Sequence, residues 1–193
     1  MELLFATRNA HKVEEVRALL ANTGVTVRSL DDAALDVDPP ETGATFEENA
    51  LQKARFVHEL TGLPCVADDS GLEVDALGGA PGVHSKRFSP EATDGANNRL
   101  LLERMQGVTD RRARFRCVLA LVADGVERTV DARCEGQLAE APRGEHGFGY
   151  DPLFLPDEAP GRTMAELTLA EKNAISHRSR AFGQLPELVR DLA

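Results

Sequence analysis

Two carboxylates stand side by side in Ala67-Asp68-Asp69-Ser70-Gly71, where an apolar run ends. Like charges this close raise the cost of ionising one another unless a cation or proton-transfer chemistry uses them. Glu41 and Glu48 add carboxylate oxygen upstream, and Mg²⁺ favours oxygen ligands and triphosphate. A solvated Asp-Asp turn would account for the same residues without any chemistry.

Three further segments hold polar side chains at suggestive spacing. Thr7-Arg8-Asn9-Ala10-His11-Lys12 lies between a strand-like and a helix-like stretch. Backbone N–H groups at a helix start attract phosphate, Lys12 adds a point charge, and Thr7 and Asn9 add hydrogen bonds. The glycines of a Walker A loop are absent, and an ordinary strand–helix turn would look the same. Gly147-Phe148-Gly149-Tyr150-Asp151-Pro152 holds the chain's single tyrosine. Its aromatics could wall a base and Asp151 could accept the base's N–H groups, or Phe148 could simply be tucked into the core beside a glycine turn. Glu171-Lys172-Asn173-Ala174-Ile175-Ser176-His177-Arg178 gathers donors near a helix start, as a solvated helical face would also do. His11, His58, His84 and His146 show no metal-ligand spacing with His177, and no Gly-x-Ser-x-Gly elbow supports serine hydrolysis.

Periodicity indicates the elements that must position these residues. Glu2–Ala6 and Thr26–Ser29 read as strands. Val13, Val16, Leu19 and Leu20 recur at helical spacing over Lys12–Asn22, before Gly24. Asp31–Thr42 is an acidic loop. Thr45 then opens a helix with Glu48 as its capping-box partner, Phe46, Ala50, Ala54 and Val57 on one face, and Gly62 at its end. Pro64–Asp68 reads as a short buried strand that ends at the carboxylate pair. Asp94–Met105 reads as a helix with Leu100, Leu101 and Met105 facing the core. Arg114–Ala123 and Val126–Glu135 flank an Asp124-Gly125 hairpin turn. Helical stretches follow around Leu169–Asn173 and after Ser176, and Pro186 is expected to break or kink the last part. Strands alternating with helices, and a hairpin between them, predict an α/β fold with a mixed sheet.

The chain has 193 residues, enough for one domain, 1–193, with a sizeable core. A formal net charge of −10 argues against non-specific nucleic-acid binding, while a few lysines and a divalent cation can still hold one triphosphate. No apolar run approaches the roughly 18–20 residues that span a bilayer. The start of the chain lacks the pattern of a signal peptide, and a cytoplasmic protein without a membrane partner is expected. Cys65, Cys117 and Cys134 lack CxxC spacing and read as buried thiols.

Taken together, the segments resemble the inosine triphosphate pyrophosphatase family nearly end to end. The resemblance is carried by Ala6–Lys12, Glu41–Ala50 and Ala67–Leu72, then by Leu77-Gly78-Gly79-Ala80-Pro81-Gly82-Val83, Gly147–Pro152 and Ile175–Arg178, in the family's order. It implies an elongated α/β fold in which a long mixed sheet links two lobes, with the substrate in the cleft between them. It also implies a homodimer and Mg²⁺-dependent hydrolysis of deaminated purine nucleotides (ITP, dITP, XTP) to monophosphate and pyrophosphate. Asp69 matches the catalytic, metal-associated carboxylate, with Glu41 and Asp68 as further metal candidates. Thr7, Arg8, Asn9, Ala10, His11 and Lys12, with Lys53, match phosphate-handling positions. Ser70, Phe148, Gly149, Tyr150, Asp151, Lys172, His177 and Arg178 match nucleotide-binding positions. Arg8 stands where the family often has a small residue, and Pro39-Pro40 precedes Glu41 where it often has acidic ones.

Overall fold

The structure is a computed structural model that describes residues 1–192. Ala193, the last residue of the expected domain, lies outside the described residues. Strands β1 (Glu2–Phe5), β2 (Thr26–Ser29), β3 (Cys65–Val74), β4 (Arg112–Ala123), β5 (Val126–Leu138) and β6 (Phe154–Pro156) form a six-stranded sheet in the order β2-β1-β3-β4-β5-β6. β1 runs parallel to β2 and to β3, and β6 runs antiparallel to β5, so the sheet is mixed. The helices are α1 (Ala10–Leu20), α2 (Phe46–Thr61), α3 (Asp94–Arg104), α4 (Leu169–Ile175), α5 (His177–Phe182) and α6 (Leu185–Leu188).

The chain divides into two compact units. One holds Met1–Asp69, Cys117–Ala132 and the stretch from Arg178 on, and the other holds Ser70–Arg116 and Arg133–His177. In the first unit, Leu3, Phe5, Val16, Val27, Val66, Leu119, Leu121, Phe182 and Leu185 share a buried core. The rings of Phe5 and Phe182 meet edge to face at 5.3 Å. Asn9 caps α1 by accepting the Lys12 N–H. Thr45 and Glu48 form the capping box expected for α2, and Gly62, at φ +68°, closes that helix in the left-handed region. Phe46, Ala50, Ala54 and Val57 are all buried. Burying Phe46 and Val57 is worth about 1.5–3 kcal/mol each, against about 1 kcal/mol for a cap, so the apolar face decides how α2 docks.

In the second unit, Leu72, Leu101, Phe115, Tyr150, Leu153, Phe154, Met164 and Leu167 form a separate core. Thr93 caps α3 and Thr168 caps α4. All three cysteines are buried, and burial pushes the Cys65 thiol up to about 12.

Several elements differ from the sequence expectation. β3 does not stop at Asp68 but runs on to Val74, because Leu72 and Val74 are core residues beyond the polar stretch. The carboxylate pair therefore lies within a strand rather than at a strand end. Leu101 and Met105 are buried, whereas Leu100 is only partly so. β5 extends three residues past Glu135, and the short strand β6 that pairs with it was not expected. Pro186 sits in the first turn of α6, where its missing N–H costs nothing, so it starts a helix instead of breaking one.

Candidate active site

The first unit concentrates charge around the carboxylate pair. Residues 68 and 69 are neighbours on one strand, so their side chains leave it on opposite faces and meet different partners. Asp68 is 2% exposed. Its Oδ1 accepts from Lys12 Nζ at 3.0 Å, and its Oδ2 lies 3.4 Å from Arg178 Nη2. Arg178 is itself 2% exposed and donates through Nη1 to Glu15 Oε2 at 2.5 Å. A chain of alternating charge thus runs Glu15, Arg178, Asp68, Lys12. Burial alone would push the Asp68 carboxyl up, but Lys12, Arg178 and Lys53 prevail and hold it well below the usual carboxylate range.

Asp69 sits in the opposite situation. Its Oδ2 accepts from Asn49 Nδ2 at 2.9 Å, and its Oδ1 lies 3.8 Å from Lys53 Nζ. Burial dominates here and raises its proton affinity, with Glu41 adding to the effect against Lys53, Lys12 and Asn49. Lys53 Nζ bridges three oxygens: it donates to Glu41 Oε1 at 2.5 Å and to the Asp68 carbonyl at 2.8 Å, and it faces Asp69. Burial lowers its affinity for the proton, but Asp69, Glu41 and Asp68 outweigh that and keep it charged. Lys12 is shifted down, by burial first, with repulsion from Lys53 and Arg178 adding to it, and the attraction of Asp68 and Asp69 does not make up the difference.

The Thr7–Lys12 turn is built by its own side chains. Thr7 Oγ1 accepts from the Asn9 N–H at 3.1 Å, and Ala10 opens α1. Arg8 turns to the acidic loop, where it donates to Asp36 Oδ1 at 2.6 Å and to the Leu35 carbonyl, while His11 stays exposed. Glu48, a carboxylate candidate from sequence, is taken up by the N–H groups of Ala44 and Thr45.

The second unit holds another cluster. Gly147, at φ +74°, lets the loop close on Asp151; a Cβ there would lie 2.0 Å from Asp151 Oδ2. That oxygen accepts from the Phe148 N–H at 3.0 Å and from Lys172 Nζ at 2.6 Å. The Lys172 ammonium also sits 4.8 Å from the Phe148 ring centre. Asp94 accepts the Gly149 N–H and Asn98 donates to the Gly149 carbonyl. Tyr150 is buried, with its hydroxyl donating to the Ser85 carbonyl at 2.7 Å, so it anchors the loop from within. His177 is buried and stacks on Phe115 at 4.8 Å, and Ser176 is buried beside it in sequence. Ser70 is partly buried where β3 enters this unit.

The expected residues thus form two groups. Lys12, Glu41, Lys53, Asp68, Asp69 and Arg178 meet in the first unit, and Phe148, Gly149, Asp151 and Lys172 meet in the second. Arg8 is engaged by Asp36 and Asp31 on the acidic loop. Asn49, Glu15, Asp94, Asn98 and Phe115 were not singled out from sequence. Asn49 had one available signal: a polar residue three positions from Phe46 and four before Lys53, on the face that α2 buries.

The family model of the Ham1 family matches residues 3–188. The chain is 52% identical to the dITP/XTP pyrophosphatase of Syntrophobacter fumaroxidans, over 95% of this chain and 79% of that protein. It is 51% identical to the dITP/XTP pyrophosphatase of Mycolicibacterium paratuberculosis, over 99% of this chain and 97% of that protein. Among solved structures, the Ham1 protein of Staphylococcus aureus superposes with a TM-score of 0.87 at 35% identity, covering 100% of both chains. The nucleoside-triphosphatase / dITP/XTP pyrophosphatase of Mycobacterium abscessus does so with a TM-score of 0.77 at 48% identity, over 96% of this chain and 98% of that one. With the family model spanning nearly the whole sequence, and relatives of about half identity at full length, the chain belongs to the Ham1 family.

Proposed function

We propose that the protein is a Mg²⁺-dependent pyrophosphatase that hydrolyses the deaminated purine triphosphates ITP, dITP and XTP to monophosphate and pyrophosphate. The observation that carries this reading is the group of the buried Asp69 and Lys53 with the partly buried Glu41, joined with relatives named dITP/XTP pyrophosphatase at about half identity. Lys12 and Lys53 offer charge to the phosphates. Asp69, with its raised proton affinity, is suited to accept a proton from an attacking water. Phe148, Lys172 and Asp151 offer a ring face, a donor and an acceptor to the purine.

The donor set fits Mg²⁺. Asp69 and Glu41 supply oxygen on either side of Lys53, while both oxygens of Asp68 are engaged by Lys12 and Arg178. Among the described residues no group of three or more His, Cys, Asp and Glu side chains forms a self-sufficient metal site. Mg²⁺ can bind through one or two carboxylates plus substrate phosphates. When bound, the ion would offset charge building on the phosphates; Asp69 and Glu41 would hold it, and Asp68 would keep Lys12 and Arg178 in place. The proposed enzyme works as a homodimer on the cytoplasmic nucleotide pool.

Purified protein with ITP or XTP and Mg²⁺ is expected to release monophosphate and pyrophosphate, resolved by ion-exchange chromatography. Diphosphate and orthophosphate as primary products would refute the reaction proposed.

A further inference from the structure

Asn49 is 1% exposed and lies on the inner face of α2, one turn before Lys53. Its amide is used at both ends. Nδ2 donates to Asp69 Oδ2 at 2.9 Å, and Oδ1 accepts from the Gly43 N–H at 2.7 Å. Gly43 lies two residues after Glu41, whose carboxylate reaches Lys53. The backbone at Gly43 presses on the amide so closely that a Cβ there would stand 2.9 Å from Asn49 Oδ1 and 2.6 Å from Glu48 Cβ. One neutral side chain therefore ties together the strand that carries Asp69 and the loop that carries Glu41.

We infer that Asn49 is a positioning residue for the reaction: it fixes the orientation of the Asp69 carboxylate, with Oδ2 on the amide and Oδ1 towards Lys53, and sets the place of Glu41 relative to it. This rests on the reading of Asp69 as the working carboxylate. With Oδ2 held by the amide, Oδ1 is the oxygen that faces Lys53. A buried carboxylate without that donor could swing about its χ angles, and small misplacements of a catalytic group are costly in rate. Few side chains can replace this one. Aspartate keeps an acceptor for the Gly43 N–H but cannot donate, and it sets a further negative charge against Asp69. Leucine has the volume and neither hydrogen bond. Glu48, the next residue back, is committed to the cap of α2 and cannot substitute.

The test is a double-mutant cycle on kcat and KM for ITP with wild type, N49A, N49D, D69N and N49A/D69N, with thermal melts of each. Hydrogen exchange at the Gly43 amide supplies a readout independent of turnover. D69N is expected to lower kcat by about 100-fold. N49D is expected to lower kcat by about tenfold or more with KM within about threefold, and to leave the Gly43 amide protected. N49A is expected to lower kcat and to expose that amide. In the D69N background, adding N49A is expected to change kcat by less than about twofold, because both substitutions act on one group. Wild-type kcat in N49D beside an impaired D69N would overturn this inference alone. So would equal effects of N49A in both backgrounds, the mark of a purely structural residue. Full turnover by D69N would overturn the inference together with the reading of Asp69.

Discussion

Arg178 carries a buried charge that Glu15 and Asp68 meet. The sequence grouped it with Ser176 and His177 as a cluster of donors, and the family resemblance implied a nucleotide-binding position. In the structure its guanidinium contacts carboxylates of the first unit. Removing one member of a buried ion network leaves the others uncompensated, at a cost of about 3–5 kcal/mol. Arg178→Ala is therefore expected to unfold at clearly lower denaturant than wild type. Arg178→Lys should recover part of the loss, keeping the charge without the two-armed geometry. Chemical denaturation measures this. A wild-type midpoint for Arg178→Ala, paired with weaker ITP binding, would show that the guanidinium serves the nucleotide instead. Phe148, by contrast, is only partly buried, with the Lys172 ammonium near its ring. Phe148→Ala is expected to lower kcat/KM for ITP and ATP alike and leave their ratio nearly unchanged, since a ring stacks on any purine. A ratio that collapses in steady-state assays would make Phe148 a selector.

At the scale of elements, α4 shows how short segments are held. Its first turn is closed by the Thr168 hydroxyl and the Glu171 carboxylate, and Lys172 follows directly. The Thr168 N–H, then Arg162 and the Thr168 hydroxyl, hold the Glu171 carboxyl down to about 2, from an ordinary value of 4.5. A depressed folded value means that the cap's contribution is full above the unfolded value and fades as pH falls from there towards 2. Glu171→Gln should melt slightly below wild type at pH 7, and the gap should close at pH 2–3. Calorimetry at the two pH values checks this, and a gap that persists in acid would place the effect elsewhere. Because Glu171 is exposed, salt should narrow the gap too. The caps and the helical stripes were legible in the sequence because their causes are local: Thr45 with Glu48, and Phe46 with Ala50, Ala54 and Val57. The course of β3 was not. Asp68-Asp69-Ser70-Gly71 has the composition of a turn, and it takes partners distant in sequence, Lys12, Asn49, Lys53 and Arg178 among them, to make two carboxylates tolerable inside a strand. For the same reason the residue types of the site could be picked out while their pairings could not. Nothing within a few positions of Arg178 or Asp68 indicates that they touch.

For the molecule as a whole, the net charge of −10 coexists with a cluster in which Lys12, Lys53 and Arg178 face Glu15, Glu41, Asp68 and Asp69. The named carboxylates outnumber the named cations there by one. Among the described residues no helix is long and apolar enough to cross a membrane. The proposed homodimer should sediment as twice 20.9 kDa, and a particle of 20.9 kDa at working concentrations would refute it.

The first unit is assembled from three separate stretches of chain, and one of them begins only at Arg178. That stretch delivers Phe182 to the ring of Phe5, and Leu185 and Val189 to the same core as β1. On the ribosome, therefore, β1 must wait for core partners that are made long after it. A nascent chain stalled short of Arg178 has Glu15 and Asp68 without their shared guanidinium and Phe5 without its partner ring. Such a chain offers proteases an unfinished core, whereas domains whose N-terminal part closes on itself settle during synthesis.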